Sequence, residues 1–196
     1  MIDHFLSNLQ DGVYHTLHIN AYDHILFLIV IAIPFLFNDW KRLLILITLF
    51  TIGHTVALIL TINNIVNVNI KLVSFLIPLI IFMIAFFNIF TAGRKTYNNK
   101  INIWNLITLL FGFIHGFGFV NEFNSMVSST ENEIISAIEI SIGIELGQLV
   151  IAFIVLFISF ICQTLFRFSK RDWVMVISAI VVGFVLPMLI KSELLS

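Results

Sequence analysis

Charge is scarce in this sequence. Only 11% of the 196 residues are Asp, Glu, Lys or Arg, while 60% are hydrophobic; soluble domains sit near a quarter and about half by those measures. The balance is that of a membrane protein. Cysteine is nearly absent: Cys162 stands alone, so an intrachain disulfide and a cysteine cage for a metal are both excluded. Any metal must then be held by His, Asp, Glu or neutral oxygen. Ten Lys plus Arg against 11 Asp plus Glu give a formal charge of −1, which offers no basic surface, so nucleic acid is excluded as a partner. No Lys or Arg precedes Lys41. The N-terminus therefore lacks the positive region of a cleavable signal peptide, and the first apolar block is expected to be retained.

What is present is long apolar blocks separated by short polar stretches. A spanning helix needs about 20 mostly apolar residues, and six blocks qualify, over roughly 17–37, 43–62, 72–91, 103–121, 134–162 and 173–190. The expected fold is an all-α integral membrane protein, a bundle of six transmembrane helices forming a single transmembrane domain over 1–196. Pro34, Pro78 and Pro187 fall inside blocks and are candidate kinks. Lys41 and Arg42, then Arg94, Lys95 and Lys100, then Arg167, Lys170 and Arg171 occupy alternate connections. The positive-inside rule puts those connections in the cytoplasm and both termini outside, in what reads as a bacterial inner (cytoplasmic) membrane with lipid as its surroundings. The fourth connection, 121–133, is polar and acidic, as an outside loop can be.

Polar side chains inside such helices are costly and usually face the bundle interior. At 1.5 Å per residue, His54 and His115 lie roughly 18 Å above the cytoplasmic ends of their helices, in a core of about 30 Å. Asp23 and His24 lie roughly 10 Å, and Glu145 about 16 Å, below the outer ends of theirs. Four helices thus offer ligand-type side chains in one slab of the outer half. Spacings of three and four stack Asn20 with Asp23 and His24, Thr51 with His54, and Ser141 with Glu145 and Gln148. Gly112 and Gly116 flank His115, and Gly143 and Gly147 flank Glu145, in the small-xxx-small spacing that allows close helix approach. If the fourth and fifth blocks use these pairs on each other, His115 and Glu145 meet. A lone membrane histidine often only braces neighbouring helices; three at one depth, with two carboxylates, point to a metal.

Imidazole and carboxylate ligands suit Ni, Co, Zn, Cu(II) or Fe(II) better than Mg or Ca. A divalent ion would also offset the ionised Asp23 and Glu145 in a medium of low dielectric constant, and Asp23 can serve by orienting a ligating histidine.

Four ordered stretches resemble one family. His18-Ile19-Asn20-Ala21-Tyr22-Asp23-His24-Ile25-Leu26-Phe27, Phe50-Thr51-Ile52-Gly53-His54-Thr55, Phe111-Gly112-Phe113-Ile114-His115-Gly116-Phe117-Gly118-Phe119 and Gly143-Ile144-Glu145-Leu146-Gly147-Gln148 are similar to motifs of the HupE/UreJ membrane proteins. The H-x4-D-H spacing of the first is also similar to that of nickel/cobalt permeases. The resemblance implies a permease-like protein of six to seven helices connected with nickel or cobalt uptake, with metal handling assigned to His18, Asp23, His24, His54, His115 and Glu145. Relatives often carry acidic residues in the third block where this chain has Ser74 and Phe87. On a regular helix His18 and His24 point about 120° apart. His18, with His15, is therefore expected to be an outer capture site, set apart from the core site.

Two functions share such a site. In the first, a divalent transition-metal ion (Ni, Co, Zn or Cu) is captured outside and released inward; few polar residues, Asn88 and Asn105 among them, lie below the slab to carry it. In the second, an intramembrane hydrolase or acyltransferase uses a bound zinc-type ion to activate water, with Glu145 or Asp23 as general base. A purely structural role for the histidines is the third.

Overall fold

The computed structural model describes residues 2–18, 22–93, 103–127 and 132–192. The described residues form seven α-helices and a short 3-10 turn over Phe37–Asp39, with no strand. The helices are α1 (Ile2–Leu17), α2 (Tyr22–Ala32), α3 (Trp40–Ile62), α4 (Ile70–Thr91), α5 (Ile103–Met126), α6 (Glu133–Thr164) and α7 (Lys170–Ile190). Five of them, α3 to α7, are long and apolar enough to cross a membrane. Their outward faces expose Ile45, Met83, Phe86, Phe153, Phe157 and Phe184. Such a surface suits lipid and not water, and the protein is an integral membrane protein.

Helices α3 to α7 match the second to sixth apolar blocks, because hydropathy reports long lipid-facing helices well. Side chains set where three of them begin: the Asn69 side chain accepts from the backbone N–H groups of Lys71 and Leu72, Asn132 from those of Ile134 and Ile135, and Ser169 from that of Asp172. Helices α3 and α4 run out into left-handed residues, Asn64 and Gly93. Pro78 and Pro187 lie inside α4 and α7. Helix α5 continues to Met126, so Glu122 is helical and the following connection is shorter than expected.

The first block is a correction. Instead of one helix over 17–37, α2 covers Tyr22–Ala32 alone, and Pro34 lies in the turn that follows it. Proline disfavours helical conformation in the residue before it, so the helix stops short. A separate helix, α1, comes first. Its buried face is Asn8, Gly12, His15 and Thr16; a stripe of small and polar residues carries no hydropathy signal, although its spacing of three and four is helical.

Two glycine-lined seams hold the bundle. A Cβ on Gly112 or Gly116 of α5 would run into the carbonyl oxygens of Phe50 and His54 on α3, and one on Gly53 into that of Leu109. The register, Phe50 with Gly112 and His54 with Gly116, makes α3 and α5 parallel. On the other seam Gly143 abuts the Leu9 carbonyl, Gly12 abuts that of Ile140, and Gly147 meets Thr16, so α1 runs parallel to the first half of α6. The glycine pairs of α5 and α6 therefore do not face each other. Small-xxx-small spacing permits a close approach without specifying the partner.

Elsewhere α4 packs on α7, α3 on α6, and α2 on α4 and α6. One end of the bundle gathers the start of α3, the end of α4 and the starts of α5 and α7, with Arg42 and Lys170 among them; this is the basic end.

Candidate metal site

A cavity of about 510 Å³ opens toward the end of the bundle opposite the basic one. It lies between the last turn of α1, the first turn of α2, the first turns of α4, the second half of α5 and the end of α7. His15 closes α1 and His24 opens α2, so the junction of the two helices delivers two imidazoles to the cavity. His115 comes from the middle of α5.

Asp23, His24 and His115 each bring a ligand atom to within 4.8 Å of the others. Asp23 Oδ1 is 3.4 Å from His24 Nδ1 and its Oδ2 is 4.0 Å from His115 Nε2. The carboxylate is held in place by the backbone N–H of His24, which donates to Oδ1 over 2.9 Å. The His24 and His115 rings are 4.0 Å apart at their centroids, and His15 stands edge-on to His24 at 4.8 Å. His24, His115 and His15 are 2%, 4% and 6% exposed.

His15 is more central than expected. Its Nδ1 is hydrogen-bonded to Glu122 Oε1 at 2.7 Å, while its buried Nε2 has no partner. A carboxylate on one ring nitrogen fixes the tautomer and leaves the other nitrogen unprotonated, with its lone pair available to ligate a metal. Glu122 was the residue that sequence reasoning missed. By sequence it falls in the polar, acidic connection, and only the extension of α5 by a further turn and the presence of α1 bring it to a histidine. Met126 and Met188 also line the cavity and went unnoticed.

The remaining candidates fall into three places. His18 is half-buried on the cavity wall, its ring 5.0 Å from that of Tyr14, outside the close group. His54 is fully buried behind His115, with ring centroids 6.1 Å apart, and neither of its nitrogens has a partner. Glu145 lies on a different seam, where its Oε1 accepts a 2.7 Å hydrogen bond from Thr48 of α3. It lines neither the histidine cavity nor the one at the basic end. The expected meeting of Glu145 with His115 fails because α6 turns its glycines toward α1. Gln148 joins Glu145 on the α3–α6 seam, accepting from Thr51 over 3.3 Å; Ser141 is buried with its hydroxyl unpartnered. Asn20 lies outside the described residues.

The donor set fits a transition-metal ion. Ligands at about 2.1 Å in tetrahedral array stand about 3.4 Å apart, so atoms within 4.8 Å require only side-chain adjustment. Asp23 and Glu122 supply negative charge, and no Lys or Arg is among the residues lining the cavity.

The family described as HupE / UreJ protein matches residues 1–192, essentially the whole chain. The chain belongs to the HupE/UreJ family. Membership connects it with nickel or cobalt transport, and the described residues include a His/carboxylate cluster able to hold a metal ion. Neither the curated proteins nor the solved structures contain a match to it.

Proposed function

We propose that this HupE/UreJ protein transports a divalent transition-metal ion, nickel or cobalt by family, with zinc and copper also suited to the donors. Asp23, His24 and His115 hold the ion, His15 adds a donor oriented by Glu122, His54 backs the group, and His18 captures at the cavity wall. One observation carries the reading: the ring nitrogens left without hydrogen bonds in one buried layer, namely His15 Nε2, both of His24, both of His54 and His115 Nδ1. Buried polar atoms are normally satisfied, and imidazoles that merely brace helices use their hydrogen bonds to do so. The unpartnered nitrogens of His15, His24 and His115, beside Asp23 and Glu122, are suited to ligate a metal ion.

The topology supports the same reading. Helices α1 and α2, with 16 and 11 residues, together reach about 40 Å at 1.5 Å per residue, enough for one crossing of a core of about 30 Å. Helix α6, with 32 residues, is long enough to flank both. Six crossings result, the first broken beside the donors, as in transporters whose discontinuous helices hold the ion near the midplane. The basic end is cytoplasmic, which leaves both termini outside the inner membrane.

The test uses purified protein in liposomes loaded with a metal-responsive dye. Wild-type protein should bind nickel or cobalt and admit it, and His24→Ala or His115→Ala should weaken binding and abolish uptake. Tight binding by folded wild-type protein without uptake would overturn transport. If fatty acid were released from the lipid as well, the site would be that of a metal-dependent hydrolase.

A further inference from the structure

Three phenylalanines underlie the histidines. On each helix that carries His24, His54 or His115, a phenylalanine sits one turn nearer the basic end: Phe27 on α2, Phe50 on α3 and Phe111 on α5. Spacings of three and four put each on the same face as its histidine. The rings meet in the centre of the bundle, with centroids 4.0 Å apart for Phe27 and Phe111, 5.2 Å for Phe27 and Phe50, and 5.8 Å for Phe50 and Phe111. Each is 1% exposed. They also touch the layer above, since Phe50 and Phe111 lie 5.6 and 5.7 Å from the His115 ring.

Beyond them, toward the basic end, is a second cavity of about 500 Å³. Val30 and Ile31, one turn past Phe27, and Leu46, one turn past Phe50, are in its wall, and Asp39, Arg42 and Lys170 also line it. The two cavities share no lining residue, and none of the three phenylalanines lines either one. The aromatic layer lies in the buried core that separates them, together with Ile81, Ile84 and Ala85 of α4.

We propose that Phe27, Phe50 and Phe111 form the closed gate between an outer metal-binding cavity and an inner release cavity. The proposal rests on the transport reading. A packed hydrophobic constriction excludes water and ions until it widens, and a bare divalent ion in such a layer is strongly disfavoured. Gly53, Gly112 and Gly116 lock α3 to α5, so Phe50 and Phe111 move as one unit. Helix α2 carries both His24 and Phe27, and its shift away from that unit opens the layer while moving one of the ion's own ligands.

The first test needs no metal. Single cysteines are introduced in a Cys162→Ser background and treated with a membrane-impermeant thiol reagent in right-side-out and inverted vesicles. Ser74→Cys and Met126→Cys should react only from outside, and Ile31→Cys and Thr91→Cys only from the cytoplasmic side. Reaction of all four from one side would overturn the partition. In Phe27→Ala/Phe111→Ala, Ile31→Cys should become reactive from outside, and nickel leak into liposomes should rise on the order of tenfold or more, which corresponds to a barrier lowered by about 1.4 kcal/mol. Retained nickel binding by that variant reports an intact site. Retained binding with leak and labelling unchanged would show that these rings are not the gate. Wild-type protein that neither binds nor admits nickel would remove the transport reading, while the labelling would still decide whether the rings divide the two cavities.

Discussion

The two cavities are nearly equal in volume, about 510 and 500 Å³, and opposite in chemistry. The outer one collects His15, His18, His24, His115, Asp23 and Glu122, with no Lys or Arg in its lining. The inner one sets Arg42 and Lys170 against a single carboxylate, Asp39, among apolar and aromatic walls. On the proposed reading a divalent cation is attracted and ligated on one side, and among the described residues the other side gathers no comparable donor cluster. Under that proposal capture and release differ by donor chemistry and sign of charge, with the three rings in the core between them. The inner cavity shortens the apolar stretch that the proposed route must cross below the midplane. The dry portion of the route is about two helical turns long on α2, from His24 to Val30, and about three on α5, from His115 to Trp104.

Removing the donors should erase the contrast most completely. The double variant His24→Ala/His115→Ala should lose more than about 100-fold in nickel affinity by titration calorimetry, since even residues that only orient ligands contribute 10–100-fold. Glu122→Gln comes next, with a loss of roughly 10–100-fold through a misoriented His15. Glu145→Gln, on the other seam, should leave the affinity at its wild-type value; an equal loss in both would mean that the two seams act as one site. Gly116→Leu should force α5 off the His54 carbonyl and lower stability by about 1–3 kcal/mol, read as a fall in the detergent unfolding temperature. The smallest effect belongs to the inner half. Asn88→Leu removes the 2.7 Å bond from the Asn88 side chain to the Val30 carbonyl and should lower stability by about 1 kcal/mol while leaving nickel affinity unchanged.

Much of this was legible in advance where the signal is local. Apolar length located α3 to α7, and the helical spacing around His24, His54 and His115 placed them at one depth. Other parts failed for identifiable reasons. Helix α1 was hidden because its buried stripe, Asn8, Gly12, His15 and Thr16, packs by closeness of backbone and not by hydrophobicity. That omission made His15 a peripheral residue and left Glu122 in a loop. The pairing of Glu145 with His115 was inferred from glycine spacing, which tells how near a helix can come and not which helix comes.

By itself the sequence determined a membrane bundle without a cysteine metal cage, its family, and three histidines at a common depth. All of these depend on composition or on spacing within one helix. Which residues of different helices meet was decided by the tertiary structure alone: His15 beside His24, Glu122 on His15, Glu145 turned to Thr48, and three phenylalanines closed into one layer. Those contacts follow from which helix fills each glycine seam, a choice made by shape complementarity across the whole bundle and written in no single segment.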